Sequence, residues 1–178
     1  MELMEKFLSR QPIYDGRIIK VHVDQVELPN GATAAREIVN HPGGVGILAL
    51  DCDNNVLTVT QYRYAYGEAL LEIPAGKLER GEDPYGAALR ELREETGASA
   101  GSLTPLGRVY PSPGFSDEII YLYLARDLTW GEMHPDEDEF LLPERVPFPA
   151  LAEKVLSGEI TDAKTCIAVL KAKLLLGL

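Results

Sequence analysis

The stretch Gly76–Ala98 reads GKLERGEDPYGAALRELREETGA and decides how the rest of this chain is interpreted. From Pro84 to Thr96 most residues are good helix formers. An acidic segment ending in Asp83 precedes Pro84, and proline is common in the first turn of a helix. Gly97 follows as a stop signal. The stretch therefore predicts a helix that is entered from an acidic loop.

This predicted helix carries more negative charge than an isolated helix tolerates. At helical spacing, three glutamates lie together beside an apolar stripe: Glu91, Glu94 and Glu95. Glu91 and Glu95 are like charges four positions apart, which lowers the stability of a bare helix by about 0.2–0.5 kcal/mol. Two carboxylates ~4 Å apart repel by roughly 4 kcal/mol at an effective dielectric constant of about 20. Mg²⁺ binds carboxylate and carbonyl oxygens, and substrate phosphates commonly complete its coordination shell. The charge pattern therefore predicts a site for a hard divalent cation.

The composition indicates a globular protein with an acidic surface. The chain has 178 residues, of which 46% are hydrophobic and 25% charged, and its formal net charge is −11. This length predicts one domain with a small appendage. Nucleic acids and anionic membranes bind to clusters of Lys and Arg, so we expect neither as a partner of this acidic chain. An anionic small molecule would need metal ions and a few local arginines in order to bind.

Cysteine usage and the first residues of the chain indicate a cytoplasmic location. The two cysteines, Cys52 and Cys166, are far apart in sequence, which favours reduced thiols over a disulfide. The opening residues MELMEKFLSRQ lack the continuous apolar core of a signal peptide. No apolar run approaches transmembrane length. We therefore expect a cytoplasmic protein.

Hydrophobic patterning divides the chain into two parts. Residues 1–43 predict a small β unit, because strands at 18–27 and 33–39 flank a turn at 29–31. Residues 44–178 predict the main domain. Its strands are expected at 45–50, 56–62, 103–110, 119–125 and 140–148, and its helices at 84–96, 149–157 and 162–176. Strands that lead into a central helix and end in further helices predict the α/β or α+β class.

Seven polar or glycine positions in the opening stretch resemble the signature of an enzyme family. They match the Nudix box, written G-x5-E-x7-R-E-U-x-E-E-x-G-U with U a bulky aliphatic residue, at Gly76, Glu82, Arg90-Glu91-Leu92, Glu94-Glu95 and Gly97. Ala98 departs from the box, since it is small where the last aliphatic residue is expected. The resemblance implies the Nudix fold, a mixed β-sheet between helices. It also implies hydrolysis of a nucleoside diphosphate that is linked to another moiety.

The resemblance assigns roles within the box. It implies that Glu91 and Glu95 are the main ligands of Mg²⁺, for which Mn²⁺ or Zn²⁺ could substitute. Glu94 would be an additional or outer ligand, and the carbonyl of Ala75 would complete the site. Two further residues would be structural, one orienting the carboxylates and one fixing the loop: Arg90 and Glu82.

Several segments outside the box narrow the resemblance. They are similar to the bacterial ADP-ribose pyrophosphatase subfamily: REIV-x-HPG at 36–43, QYR at 61–63, EIPAGKLE at 72–79, SPGF-x-DE at 112–118 and SGEI-x-DAKT at 157–165. Pro113 lies sixteen positions after Gly97, where that subfamily carries a diagnostic proline. This resemblance implies hydrolysis of ADP-ribose to AMP and ribose 5-phosphate. It also implies a homodimer that exchanges its N-terminal β unit.

The same resemblance implies which residues contact the substrate. Arg36 and Glu37, supplied by the partner chain, would hold the adenine end, and Arg63 would face the diphosphate. Three further residues are expected at the substrate, the last two near the terminal ribose: Gly76, Ser112 and Glu118. The general base would be a glutamate in the acidic stretch 136–139, with Glu137 as the first candidate and Glu139 as the second. The alternative for this stretch is a solvated acidic loop.

Three alternatives stay open. The substrate could be GDP-mannose or another nucleoside diphosphate sugar, because the same box serves these substrates. The chain could also be a sensor that binds ADP-ribose without cleaving it, although its intact box and acidic balance argue against this function. Finally, Tyr62 and Tyr64 beside the arginine could be ordinary strand packing or a platform for a nucleobase.

Overall fold

The computed structural model describes residues 3–135 and 139–177. Its elements in chain order are β1 (Lys6–Asp15), β2 (Lys20–Glu27), β3 (Thr33–Asn40), β4 (Gly44–Leu50), β5 (Asn55–Arg63), β6 (Glu68–Glu72), β7 (Ala75–Lys77), α1 (Pro84–Thr96), β8 (Ala98–Val109), β9 (Ile120–Trp130), β10 (Leu141–Pro147), α2 (Phe148–Ser157) and α3 (Ala163–Leu176). The chain forms two compact units, and the first comprises the residues up to Gly43 together with Tyr110–Ile119. Within the described ranges, no helix is both long and apolar enough to cross a membrane.

The first unit is built on a three-stranded antiparallel sheet with β2 in the centre. The turn between β2 and β3 contains Gly31 at a φ of 83°, a left-handed conformation that favours glycine. The segment Tyr110–Ile119 joins β3 through a hydrogen bond from the Val39 N–H to the Phe115 carbonyl, at 2.8 Å. Every residue of β1 is exposed. The apolar side chains of β1 therefore contribute no core residue within this single chain.

The second unit contains a mixed sheet. Its strand order is β10-β5-β4-β9-β8, with β6 paired to β5 and β7 paired to β4. Strands β4 and β9 run parallel, with Gly44 opposite Ile120 and Ala49 opposite Ala125. The other strand pairs of this sheet are antiparallel. The parallel pair is separated in sequence by β5, β6, β7, α1 and β8, so the helix of the box is part of the connection between its strands.

Helices pack on both faces of this mixed sheet. All of β4 is buried, because its side chains alternate between two covered faces. On one face Ile47 clusters with Leu92 of α1. On the other face Leu48 clusters with Leu151 of α2 and Val169 of α3. The predicted fold, a mixed sheet between helices, is confirmed.

Candidate active site

Helix α1 carries the box and has well-defined ends. The carboxylate of Asp83 accepts hydrogen bonds from the N–H groups of Tyr85 at 3.0 Å and Gly86 at 2.9 Å, which caps the N-terminus. Pro84 lies in the first turn, and Gly97 ends the helix at a φ of 70°. The helix therefore begins and ends where its start and stop signals predict.

Glu91 and Glu95 lie on the buried side of α1, with only 7% and 2% of their surface exposed. Because burial disfavours the charged form, the pKa of Glu91 rises to about 6 and that of Glu95 to about 8. The charge of Glu139 acts in the same direction on both carboxyl groups. Glu91 itself adds to the raised pKa of Glu95. A cation beside the two carboxyl groups would favour their ionised forms and lower both pKa values.

The backbone of the segment before α1 fixes both carboxyl groups. The N–H of Ala75 donates to Oε2 of Glu95 at 2.9 Å, which partly offsets the rise in the pKa of that group. The carboxyl group of Glu91 lies directly against Gly76. A Cβ atom at Gly76 would lie 1.9 Å from Cδ of Glu91, so only glycine leaves room for this carboxyl group.

Arg90 bridges three carboxylates of the box. Its Nε donates to Glu82 Oε1 at 2.9 Å, and its Nη1 donates to Glu91 Oε1 and Glu94 Oε2, both at 2.9 Å. Glu82 also accepts the N–H of Glu79 at 2.9 Å. These bonds connect the loop before α1 to the glutamates of the helix and hold the pKa of Glu82 below its usual range.

The oxygen donors of the box are of the types that suit a hard divalent cation. The available donors are the carboxylates of Glu91, Glu94 and Glu95 and the carbonyl of Ala75, and oxygen donors of this kind suit Mg²⁺. Among residues 3–135 and 139–177, no group of three or more His, Cys, Asp or Glu side chains is arranged to hold a metal by itself. Arg90 occupies one oxygen each of Glu91 and Glu94. A metal at this position would therefore draw on the backbone carbonyl as well as on side chains.

Of the two glutamates expected to act as general base, only Glu139 falls within the described residues. Glu137 lies outside them. Glu139 is half-buried. Its charge contributes to the raised pKa values of both Glu91 and Glu95, so its carboxylate lies within electrostatic reach of the box.

Arg63 forms a bidentate ion pair with Glu72, through Nε to Oε1 at 2.6 Å and Nη2 to Oε2 at 2.5 Å. Glu72 is buried and also accepts a hydrogen bond from Nζ of Lys164, which donates to Asp162 Oδ1 at 3.0 Å as well. Glu72 and Lys164 are not among the predicted site residues. A glutamate next to the apolar run 69–71 nevertheless indicates a partner of opposite charge.

The other predicted substrate residues lie in the first unit: Arg36, Glu37, Ser112 and Glu118. Arg36, on β3, pairs with Glu5 through Nε to Oε2 at 3.0 Å. Glu37 is the next residue along β3, and is exposed. Glu118 Oε1 lies 3.4 Å from Nδ1 of His41. The box residues, Ala75, Gly76, Arg63 and Glu139 all belong to the second unit.

Over most of its length, the chain is similar to curated proteins in sequence and to a solved structure in fold. Among curated proteins, an ADP-ribose pyrophosphatase of Bacillus subtilis is 44% identical over 169 residues, which cover 94% of this chain and 91% of that protein. A methanol dehydrogenase activator of Bacillus methanolicus is 46% identical over 167 residues, which cover 93% of this chain and 90% of that protein. A crystal structure of an ADP compounds hydrolase shares the fold with a TM-score of 0.87, at 23% identity over 99% of this chain and 97% of that one.

Family models match both parts of the chain. Residues 5–39 match the nucleoside diphosphate sugar hydrolase N-terminal domain. Residues 40–164, which contain the whole box and the carboxylates described above, match the NUDIX domain. The NUDIX match covers more than half of the length of this chain, so the chain belongs to the Nudix family.

Proposed function

We propose that this chain hydrolyses ADP-ribose to AMP and ribose 5-phosphate with the help of Mg²⁺. The proposal is carried by the two buried carboxylates, Glu91 and Glu95, which are fixed against the backbone of Ala75 and Gly76. The choice of substrate is supported by the Bacillus subtilis ADP-ribose pyrophosphatase, at 44% identity over 94% of this chain. The match of residues 5–39 to a nucleoside diphosphate sugar hydrolase domain supports the wider substrate class.

The metal would be held mainly by Glu91, Glu95 and the carbonyl of Ala75, with Glu94 as an additional or outer ligand. A divalent cation there would neutralise charge that develops on the pyrophosphate and would make water a better nucleophile. Mg²⁺ fits these oxygen donors best, and Mn²⁺ or Zn²⁺ could substitute. The Ala75 N–H fixes the rotation of the Glu95 carboxylate through Oε2, which would orient this ligand.

Other side chains would orient the substrate and the carboxylates. Arg90 holds Glu91 and Glu94 through one shared nitrogen, which supports an orienting role. Arg63 would contact the pyrophosphate, because a guanidinium group matches phosphate oxygens in bidentate geometry. Gly76 would contact the substrate through its backbone, since the Glu91 carboxyl group fills the space that a side chain would take.

We assign the general base to the acidic stretch 136–139, which contains Glu137 and Glu139. A base must accept a proton from the attacking water within hydrogen-bond distance. The electrostatic effect of Glu139 on both Glu91 and Glu95 supports this residue. Glu137 stays a prediction from the sequence.

We also propose a homodimer in which the N-terminal β unit of one chain completes the site of the other. Exposed apolar side chains on β1 support an interface: Phe7, Leu8, Ile13 and Tyr14. Arg36 and Glu37 of the exchanged unit would hold the adenine. Ser112 and Glu118 would lie near the terminal ribose. The cytoplasmic location stays a prediction.

A substrate panel tests the proposed function. Purified protein is incubated with Mg²⁺ and ADP-ribose, GDP-mannose or another nucleoside diphosphate sugar, and the products are identified by chromatography. We expect AMP and ribose 5-phosphate, with the highest kcat/KM for ADP-ribose. Faster release of GMP and mannose 1-phosphate would move the substrate to the GDP-mannose class. Binding of ADP-ribose without any product would instead identify a sensor.

A second candidate function is activation of an alcohol dehydrogenase. It is favoured by the 46% identity to the methanol dehydrogenase activator of Bacillus methanolicus. The test adds this protein to the methanol dehydrogenase of that organism and follows methanol oxidation. A rise in rate above a control with heat-denatured protein would support this function, and an unchanged rate would exclude it for that dehydrogenase.

A further inference from the structure

Four charged side chains form a connected network in the second unit: Arg63, Glu72, Lys164 and Asp162. We propose that Glu72 and Lys164 are positioning residues, which hold the guanidinium group of Arg63 in the orientation that meets the pyrophosphate. The inference rests on the proposed function, because it takes Arg63 as a contact of the substrate's phosphates. It adds two residues that lie 92 positions apart in sequence.

The contact between Arg63 and Glu72 leaves one edge of the guanidinium group for the substrate. Glu72 binds the edge formed by Nε and Nη2, at 2.6 Å and 2.5 Å. The Nη1 nitrogen lies away from this edge, and a planar guanidinium group can donate hydrogen bonds to a second anion there. The side chain of Arg63 is 38% exposed, whereas that of Glu72 is 2% exposed. The pair therefore has one fixed, buried member and one member that reaches solvent.

Lys164 fixes the buried member. Its Nζ donates to Oε2 of Glu72, the same oxygen that accepts from Arg63. Lys164 also donates to Oδ1 of Asp162 at 3.0 Å, so its ammonium group is held between two carboxylates. A charged lysine that is buried to this extent needs such partners. Removal of Lys164 would leave Glu72 with Arg63 as its remaining cation and would free the pair to rotate.

The start of α3 anchors Lys164 to the strand that carries Glu72. Asp162 caps α3 by accepting the N–H of Thr165 at 2.9 Å and its hydroxyl at 2.5 Å. The hydroxyl oxygen of Thr165 in turn accepts the N–H of Ile73 at 2.9 Å. Two neighbouring residues of α3 therefore bind two neighbouring residues of the segment before Ala75. This double connection gives the network a fixed geometry.

The network is also connected to the box through the backbone. Thr165 accepts the N–H of Ile73, and two residues further on the N–H of Ala75 donates to Oε2 of Glu95 at 2.9 Å. The geometry therefore connects α3, through the segment 72–75, to the side of the box where the pyrophosphate would bind. If the four charged side chains served only to stabilise the fold, the effect of Lys164 on catalysis would not depend on Arg63.

A double-mutant cycle on turnover separates these two roles. The cycle compares wild type, Lys164→Met, Arg63→Ala and the double variant by kcat, KM and thermal midpoint, with ADP-ribose and saturating Mg²⁺. We expect Lys164→Met to lower kcat/KM about tenfold or more, mainly through KM, in the wild-type background. In the Arg63→Ala background the same change should lower kcat/KM by less than about threefold. Lys154→Met is the matched control, because it removes a lysine from the exposed ion pair with Glu159 and should leave kcat/KM unchanged.

Equal losses in both backgrounds would overturn the inference, because Lys164 would then act independently of Arg63. If Lys164→Met does not fold, Glu72→Gln replaces it in the cycle, with the same expected coupling to Arg63→Ala. If wild type does not cleave ADP-ribose, the proposed substrate is wrong. The same four variants are then compared by their affinity for inorganic pyrophosphate, measured by calorimetry with Mg²⁺. Coupling between the two positions is expected in that measurement as well, and additive losses there would overturn the inference.

Discussion

The backbone N–H of Ala75 donates to Oε2 of Glu95 at 2.9 Å, across twenty positions of sequence. One residue therefore fixes a buried carboxylate through its N–H and can offer its own carbonyl to the same cation. In the proposed metal site, such a contact would orient a ligand before the metal binds and would lower the cost of assembling the site. It also connects the segment before α1 to the last turn of that helix.

Replacement of either main carboxylate should remove turnover without unfolding the protein. We expect Glu91→Gln and Glu95→Gln to lower kcat by more than about a hundredfold, since each removes a charged oxygen donor from the proposed metal site. Turnover of ADP-ribose and the thermal midpoint are measured on the same samples. Glu153→Gln, a change at an exposed position of α2, is the control. Near-normal turnover in Glu91→Gln and Glu95→Gln would contradict the metal assignment.

The stability of the metal-free protein should fall as pH rises from about 4.5 to about 8. The folded pKa of Glu95, about 8, is above its ordinary value of 4.5. In this window the folded state keeps a proton that the unfolded state has lost, so ionisation destabilises the fold by up to about 1.4 kcal/mol per pH unit. Below the window both states are protonated, and above it the loss is complete.

Urea denaturation at several pH values, with EDTA or with Mg²⁺, measures this effect. Glu95→Gln should flatten the pH dependence with EDTA, and Mg²⁺ should stabilise wild type more at pH 8 than at pH 5. An identical pH dependence in wild type and Glu95→Gln would show that this carboxyl group does not carry the effect.

Gly76→Ala should impair catalysis more than stability. The new Cβ would lie 1.9 Å from Cδ of Glu91, so that flexible carboxyl group would have to move away from its position. We expect about a tenfold to hundredfold loss of kcat and weaker dependence on Mg²⁺. Gly131→Ala is the control, because the nearest atom to its new Cβ, the Gly97 carbonyl oxygen, would lie at an ordinary 3.5 Å. Equal effects of the two changes would show that the Glu91 position is not critical.

The two candidates for the general base, Glu137 and Glu139, can be separated by the effects of their replacement on kcat. Replacement of the general base by Gln should lower kcat by about 10²–10⁴-fold with little change in KM. We expect the larger loss for Glu139→Gln, because the charge of Glu139 acts on both buried carboxyl groups. A larger loss for Glu137→Gln would move the role to that residue. Substrate affinity of the inactive variant, measured by calorimetry, should stay near that of wild type.

Mixed dimers test the proposed exchange of the N-terminal β unit. Arg36→Ala and Glu95→Gln chains are each expected to be inactive alone. If each site combines Arg36 of one chain with Glu95 of the other, a mixed dimer regains one intact site. Random mixing after refolding should therefore restore about a quarter of wild-type activity. If the mixture stays inactive although size measurements show dimers, the two residues act within one chain.

Much of the architecture is visible in the sequence because it depends on local spacing. The start signal at Asp83 and the stop signal at Gly97 predict the ends of α1, and both are found. The spacing of Glu91 and Glu95 predicts that their carboxylates share one helix face. These inferences succeed because helix capping and side-chain direction are set by residues within a turn or two of each other.

The sequence by itself determined the family, the fold class and the crowding of charge on α1. Only the tertiary structure decided that Gly76 makes room for the Glu91 carboxyl group, and that Ala75 holds Glu95. It alone also brought Lys164 to Glu72, across 92 positions. The physical reason is that burial and long-range pairing depend on how the sheet and helices pack, which no local pattern of residues records.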